Sequence, residues 1–461
     1  MLNSLRFELG RRSLFAAACL SIAGALVACA TPTAPLPPPV VFVHGNGDTA
    51  ALWMPTLWRF ESNGWPGSRL HALHLPLPSA RDDDTVPQAG RSSTAEHAQY
   101  LAQEVDRVLS RTGAKQVVLV GNSRGGNAIR NYVQNFGGAS KVSHAVLGGT
   151  PNHGVWADAN NRPGSEFNGA GPFLTGLNAP KGAAGDEVTP GPRWMTLRSD
   201  NNDKFAQPDG VWIGQRGRPT QVSFDGPALK GATNLVLPAR DHREVSFHPE
   251  AFARTFEFIT GAAPKQMNIL AQERPVLDGM VSGIGPGGPD NVPLPGASVE
   301  VYVVNAQTGE RQGAAVHKRS VAADGRWGPF TADARHGYEF VVSAPGYATS
   351  HVYRSPFLRS SDLVHFRAAR LATADKDAAA VVTFTRPRGY FGLPRDRITF
   401  DGQSPPGVPT GVAGISSSTL RLKDSGRAVV AQFDSGVVSE RIVGRAWPAA
   451  ENRLVVLEMH Y

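Results

Sequence analysis

The pentapeptide Gly121-Asn122-Ser123-Arg124-Gly125 has the spacing G-x-S-x-G. It follows the apolar run Val117-Val118-Leu119-Val120 and precedes an amphipathic stretch, Ala128 to Phe136. A serine on a sharp turn between a buried strand and a helix is presented for nucleophilic attack. The turn strains the serine backbone, and side chains at 121 and 125 would strike neighbouring main chain, so glycine is needed at both. The N-terminus of the following helix favours negative charge developing beside Ser123.

A serine hydroxyl needs a base, and the base needs an orienting carboxylate. After an elbow of this type the chain order is acid, then histidine. His144 and His153 come too early for that order, and His248 directly precedes Pro249, where a helix is expected to start. His242 sits in Arg240-Asp241-His242-Arg243-Glu244, just past the expected strand Asn234 to Leu237, and is the candidate base. The acid belongs after the preceding strand, Trp194 to Arg198, where Asp200, Asp203 and Asp209 all qualify by position. Asp241 neighbours the histidine in sequence, a poor geometry for orienting its ring. Two backbone N–H groups must receive the oxyanion. One belongs to Arg124, the residue after the nucleophile. The other is assigned to Asn46 in the loop His44-Gly45-Asn46-Gly47, which ends the first apolar run, Val40 to Val43.

Those residues must be carried by alternating strands and helices. Between 37 and 262 the apolar runs Val40–Val43, Leu70–Leu75, Val117–Val120 and Ala145–Leu147 read as strands. Thr94 to Arg111 reads as a helix, since Tyr100, Leu101, Val105, Val108 and Leu109 recur every three or four residues. Pro249 to Thr260 reads as another, with proline at a favoured first position. Strands alternating with helices imply a parallel sheet covered on both faces. The loop 152–193, with Trp156, Phe167, Phe173 and Leu174, is a candidate lid. After Gly261 no helical period appears; residues 265–371 read as a β-sandwich and 372–461 as a second β-rich unit. The assigned chemistry lies before Gly261, so the downstream region is expected to dock substrate or surface, or to cover apolar area through the face Phe252, Phe256 and Ile259.

The chain has 461 residues, 50 of them glycine and 36 proline, which excludes long uninterrupted helices and coiled coils. Charged residues are 18% and the net charge is +7. With no basic run of five or six, a nucleic-acid partner has little support. Asp82-Asp83-Asp84 lacks the spaced ligands of a calcium loop, and the histidines lack zinc spacing, so neither a metal nor a cofactor is expected. Arg6, Arg11 and Arg12 precede an apolar run, Leu14 to Ala28, too short to span a bilayer. Residues 1–28 read as a signal peptide for export, by the twin-arginine or the ordinary route. Leu26-Val27-Ala28-Cys29 resembles a lipobox, with Cys29 acylated and anchored at the cell envelope and residues 29–36 as a tether; an ordinary cleavage site is the alternative. The sequence holds only Cys19 and Cys29, so the exported chain has no internal disulfide. Nothing in it indicates an oligomeric state.

These motifs resemble the α/β-hydrolase superfamily, and within it the lipases, over residues 37–262. Phe42-Val43-His44-Gly45 is similar to the lipase oxyanion strand and loop. Ser199 through Pro208 looks like the lipase acid loop, in which a serine precedes the catalytic aspartate and Gln-Pro follows it. The resemblance implies Asp203 as the acid; one extra residue in this loop keeps Asp200 in play. Phe252 to Gly261, Tyr338-Glu339-Phe340 and Tyr353 to Phe357 resemble archaeal long-chain lipases with a C-terminal β-rich lipid-binding region. Those lipases take their acid directly after the strand following the nucleophile helix, where this chain has Gly148-Gly149-Thr150. Pro293 to Ala297 looks like a transthyretin-like sandwich. The implied activity is serine ester hydrolysis, lipase or esterase, on an ester or lipid substrate. The alternatives are a polyester depolymerase of the polyhydroxyalkanoate type and a non-catalytic surface-binding protein with a hydrolase-like domain.

Overall fold

A computed structural model describes residues 36–375 and 377–461. The signal segment 1–28, Cys29 and all but the last residue of the tether lie outside the described residues. Among the latter, six strands form one all-parallel sheet: β1 Val40–Val43, β2 Leu70–Leu73, β3 Val117–Asn122, β4 Val142–Gly148, β5 Arg193–Ser199 and β6 Thr233–Leu237, in spatial order β2-β1-β3-β4-β5-β6. The central strands β1 and β3 are short and buried throughout because both of their faces are covered. Alternate residues feed different cores. Val41, Val43, Leu119, Ala145 and Leu147 meet α2 (Thr94–Thr112) and α3 (Arg124–Asn135) through Leu101, Val105, Ile129 and Tyr132, and the short α4 (Pro172–Leu177) lies beside α3. Val40, Phe42, Val118, Val120 and Val146 meet the other layer, α1 (Met54–Ser62), α5 (Glu244–Phe247) and α6 (Pro249–Thr260). This is an α/β-hydrolase fold followed by β-rich sheets.

The helix ends follow local chemistry. Ser93 and Glu96 close a reciprocal capping box at the start of α2, and Gly113, at φ 65°, ends it. His248 caps α6, and Pro249 is its first residue. The helix after the elbow starts at Arg124, four residues earlier than its apolar periodicity suggests, because its first turn, Arg124-Gly125-Gly126-Asn127, carries no apolar side chain.

The β-rich region contains a seven-stranded sheet in the spatial order 317–320, 298–304, 337–343, 349–354, 453–458, 380–385 and 417–422. Strand Arg453–Glu458, near the chain's end, pairs in parallel with both Thr349–Arg354 and Ala380–Thr385, so residues 265–371 and 372–461 share one sheet. The apolar part of their contact with the hydrolase part is made by α1 and the turn before it. Ala50, Met54 and Trp58 enter the core built by Val299, Trp327, Phe340 and Phe366. Trp58 Nε1 donates to Ser360 O at 2.9 Å, and Arg359 pairs with Glu61 at 2.9 Å. The face of α6 expected to make this contact turns inward instead: Phe252 meets Phe60 edge-on and Phe256 meets it at a tilt, 5.2 and 5.7 Å between centroids.

Several histidines are buried in a neutral state. Burial pushes His44 down to about 4 and His248 to about 3, and lowers His97, His365 and His460 well below 6.5. In the unfolded chain the same groups take up protons near 6.5, so at lower pH the unfolded state binds more protons and the folded state loses stability. A tenfold weakening of proton binding in the folded state is worth about 1.4 kcal/mol. The melting temperature is therefore expected to fall as pH drops from 7 through 5, a window above most carboxylate titrations. Melting curves that stay level or rise over that interval would contradict the neutral burial of these rings.

Candidate active site

Ser123 stands between β3 and α3 at φ 53°, ψ −124°, a conformation that strains any residue with a Cβ. The chain crosses itself so closely here that glycine is required. A Cβ at Gly125 would lie 2.4 Å from Val43 O and 2.6 Å from His44 O. One at Gly121 would lie 2.7 Å from Ile129 Cδ1 and 2.8 Å from Gly126 N. As the first residue of α3, Arg124 has no helical carbonyl one turn back to accept its N–H.

Asn46 occupies the loop after β1. Its side-chain oxygen accepts from Ala80 N at 2.7 Å, and Gly47 N donates to Pro78 O at 3.0 Å. His44 braces the same loop from below. Its Nε2 accepts from Leu75 N at 3.1 Å, so the proton sits on Nδ1, which donates to Gly45 O at 2.9 Å.

His242 and Asp203 come from the loops after β6 and β5. Asp203 Oδ2 lies 2.8 Å from His242 Nδ1, with both side chains buried. A carboxylate there accepts the hydrogen bond of the Nδ1–H group and leaves Nε2 as the basic nitrogen. Asp203 Oδ1 accepts from Phe205 N at 2.8 Å, and the Phe205 ring meets the imidazole edge-on at 4.7 Å. Asp200 points elsewhere. One of its oxygens closes the turn at Asn202, and the other accepts from Ala239 N at 2.9 Å. Partial burial pushes its carboxyl up, but these hydrogen bonds outweigh that and hold it below the usual range. Asp209 is exposed and caps the turn at Val211. Of the other histidines, His144 lies on β4 against Phe258, His153 pairs with Glu187 at 3.1 Å, and His248 caps α6.

Ser123, Asn46 and His242 line one cavity of about 420 Å³. Its walls include Val155, Trp156, Phe167, Phe205, Trp212 and Tyr390. The segment 152–193 supplies the first three of these and is pinned to the turn at Ser123. The buried Arg124 guanidinium meets Glu166 through two contacts, 2.6 and 2.9 Å, and donates to Ser92 O and Pro78 O. The side chain of Arg124 thus fixes the wall opposite the serine, a task with no local signal in the motif. Position 149 is excluded from carrying an acid on steric grounds: at Gly149, φ 57°, a Cβ would fall 2.5 Å from His242 O.

Other contributors also escape the sequence. Asn122 Nδ2 donates to His242 O at 3.2 Å and Ser246 Oγ at 2.8 Å. Tyr390 reaches the cavity from the β-rich region. Arg243 pairs with Asp48 at 3.1 Å and donates to Pro387 O at 3.0 Å. Lys204 donates to Gly414 O at 2.9 Å and sits 4.1 Å over the Tyr390 ring. Burial, helped by nearby Arg243, pushes Lys204 down to about 8.

Residues 38–174 match the family model described as the alpha/beta hydrolase fold, and residues 275–371 match that of the lipase C-terminal domain. Among solved structures the chain is similar to Bacillus licheniformis lipase BlEst2 in its propeptide form, at 14% identity over 89% of this chain and 93% of that chain, with a TM-score of 0.35. To the mature form of that lipase it is 20% identical over 49% of this chain and 93% of that one, with a TM-score of 0.36. To a Paleococcus ferrophilus monoacylglycerol lipase it is 12% identical over 49% and 96%, with a TM-score of 0.30.

The close approach at Gly125 yields a sign reversal. Glycine to alanine inside a helix ordinarily stabilises by about 1 kcal/mol. Gly125→Ala is expected to destabilise by about 1–3 kcal/mol, because the methyl group meets two carbonyl oxygens. Gly176→Ala, in open space, should be neutral or stabilising. Denaturant unfolding of both variants checks this, and unchanged stability in Gly125→Ala would remove the steric account of the elbow.

Proposed function

We propose that this chain, an α/β hydrolase of lipase or esterase type, is a serine carboxylic ester hydrolase with Ser123, His242 and Asp203 as its triad. The observation that carries the reading is the buried 2.8 Å contact of Asp203 with His242 Nδ1, in a loop lining the same cavity as the strained Ser123. His242 Nε2 takes the hydroxyl proton as Ser123 Oγ attacks the ester carbonyl. The N–H groups of Asn46 and Arg124 receive the negative oxygen. His242 then protonates the leaving alcohol, and water, deprotonated by the same imidazole, releases the acid from the acyl-enzyme. An ester of lipid type is supported by the aromatic cavity walls and by the lipase C-terminal domain match. Export, with anchoring through an acylated Cys29, belongs to the same proposal. Its support is Arg11-Arg12, the apolar run to Ala28 and the lipobox-like Leu26-Val27-Ala28-Cys29.

Ser123→Ala is expected to lower hydrolysis of a p-nitrophenyl ester by about four to six orders of magnitude. A fluorophosphonate probe should label wild type, but not this variant. Asp203→Asn should cost roughly 10⁴-fold in turnover. Asp200→Asn, which loosens only the turn and the Ala239 contact, should leave kcat close to wild type. A variant Ser123→Ala with even a tenth of normal turnover sinks the triad, and damage confined to Asp200→Asn reassigns the acid. For the anchor, Cys29→Ser should move the protein from the membrane fraction to the soluble fraction. Equal membrane association of both forms would argue against acylation.

A further inference from the structure

The histidine of the proposed triad sits inside a small reciprocal cap. Asp241 Oδ1 accepts from Arg243 N at 2.8 Å and Glu244 N at 2.9 Å, while Glu244 Oε2 accepts from Asp241 N at 2.8 Å. This is the geometry of a capping box, and it fixes the backbone on both sides of His242. Capping boxes normally stand in water. Here Asp241 is fully buried and Glu244 is 1% exposed, so two carboxylates are taken out of solvent beside the imidazole.

Their compensation comes from the β-rich region. Arg386, 145 residues along the chain, donates to Asp241 Oδ2 at 3.1 Å and also to Glu244 Oε1. Arg395 Nη1 donates to Glu244 Oε2 at 2.9 Å, and Tyr390 N donates to Asp241 Oδ2 at 2.7 Å. The Arg386 guanidinium is 2% exposed, and a Cβ at Gly389 would lie 2.4 Å from its Nη1, so the turn 386–390 is shaped around it.

We infer that Arg386 and Arg395 are positioning residues for His242, acting through Asp241 and Glu244, so that the β-rich region completes the catalytic centre. The inference rests on the triad reading above. Adhesion between the two parts does not call for these charges. Met54 and Trp58 already sit in the apolar core of the β-rich region. Buried ion pairs are also weak stabilisers compared with apolar residues of the same volume. What the pairs contribute is placement. Their contacts converge on residues 241 and 244, and Arg243 between them donates to Pro387 O.

The test uses the full-length chain with a soluble p-nitrophenyl ester, the fluorophosphonate probe and a melting curve. Arg386→Met and Arg395→Gln are expected to lower kcat and the labelling rate of Ser123 on the order of 10²-fold, the cost of a misplaced catalytic group, with KM little changed. Arg359→Met removes an ion pair between the same two parts but away from His242, and should lower the melting temperature without altering kcat. A cooperatively melting Arg386→Met that turns over and labels like wild type overturns the proposal. An equal loss of kcat in Arg359→Met does so too, since the effect would then belong to the whole interface. If Arg386→Met does not melt cooperatively, Arg395→Gln decides by the same criteria; loss of folding in both assigns the arginines to folding alone. A wild type that is neither labelled nor active removes the triad reading, and the positioning role with it. A labelled wild type with unaffected variants removes the positioning role alone.

Discussion

The main chain at His242 is the point on which the rest of the site depends. Its carbonyl receives Asn122 Nδ2 from the end of β3, and the loop after β4 lies so close that position 149 has no room for a Cβ. Asn122, the residue before Ser123, and the loop at Gly149 thus hold the His242 backbone directly. Once that backbone is fixed, only the ring torsions remain, and Asp203 and Phe205 set them. Histidine placement here is mainly a backbone problem, met by glycine at 149 and an amide at 122.

The charges around that loop make sense only as a group. Burial alone would push the Glu244 carboxyl up, but Arg386 and Arg395 outweigh it and hold Glu244 at about 2. Removing one partner from such a group leaves an uncompensated buried charge, which costs about 3–5 kcal/mol. The loop is therefore rigid in a way an apolar contact of the same area would not be, because hydrophobic burial has no preferred direction. The apolar core shared by α1 and the β-rich sheet holds the two parts together. The polar contacts fix how they meet.

Much of the hydrolase part was legible in the sequence because its signals are local. The elbow shows itself as glycine at 121 and 125 around Ser123, a pattern held within five residues, although the atoms that exclude a Cβ at 125 are Val43 O and His44 O. The ends of α2 and α6 are marked by Ser93, Gly113 and Pro249. Asp203 and Asp200 were harder to separate, since both follow the same strand. Three-dimensional placement distinguishes them: Asp203 reaches the imidazole, while Asp200 is spent on the turn at Asn202 and on Ala239 N. The face of α6 illustrates a different limit. Its aromatic spacing correctly implied burial, but periodicity does not name a partner, and Phe60 rather than the β-rich region covers it. Least legible was the role of residues 386–396. Asp241 and Glu244 do carry the three-residue spacing of a cap, yet nothing near Arg386-Pro387-Arg388-Gly389-Tyr390 says which carboxylates its cations will meet. The sheet that brings them there closes through the parallel pairing of 349–354 with 453–458, a contact between segments about a hundred residues apart.

The cavity itself is bounded by ion pairs as much as by apolar packing. Arg124 with Glu166 fixes the wall that carries Val155, Trp156 and Phe167. Arg243 with Asp48 ties the histidine loop to the segment after β1. Arg386 and Arg395 with Asp241 and Glu244 fix the side that carries Tyr390. Each pair joins segments far apart in the chain, and each has one member next to a residue of the proposed triad or its oxyanion loop: Arg124 beside Ser123, Arg243 and Asp241 beside His242, Asp48 two residues beyond Asn46. An aromatic wall alone could slide against its neighbours at little cost. Anchoring each wall to a charge adjacent to these residues means that cavity shape and the geometry of the proposed triad cannot vary independently. The β-rich region, which sequence order places after the assigned residues, becomes in three dimensions one of the sides from which the His242 loop is held.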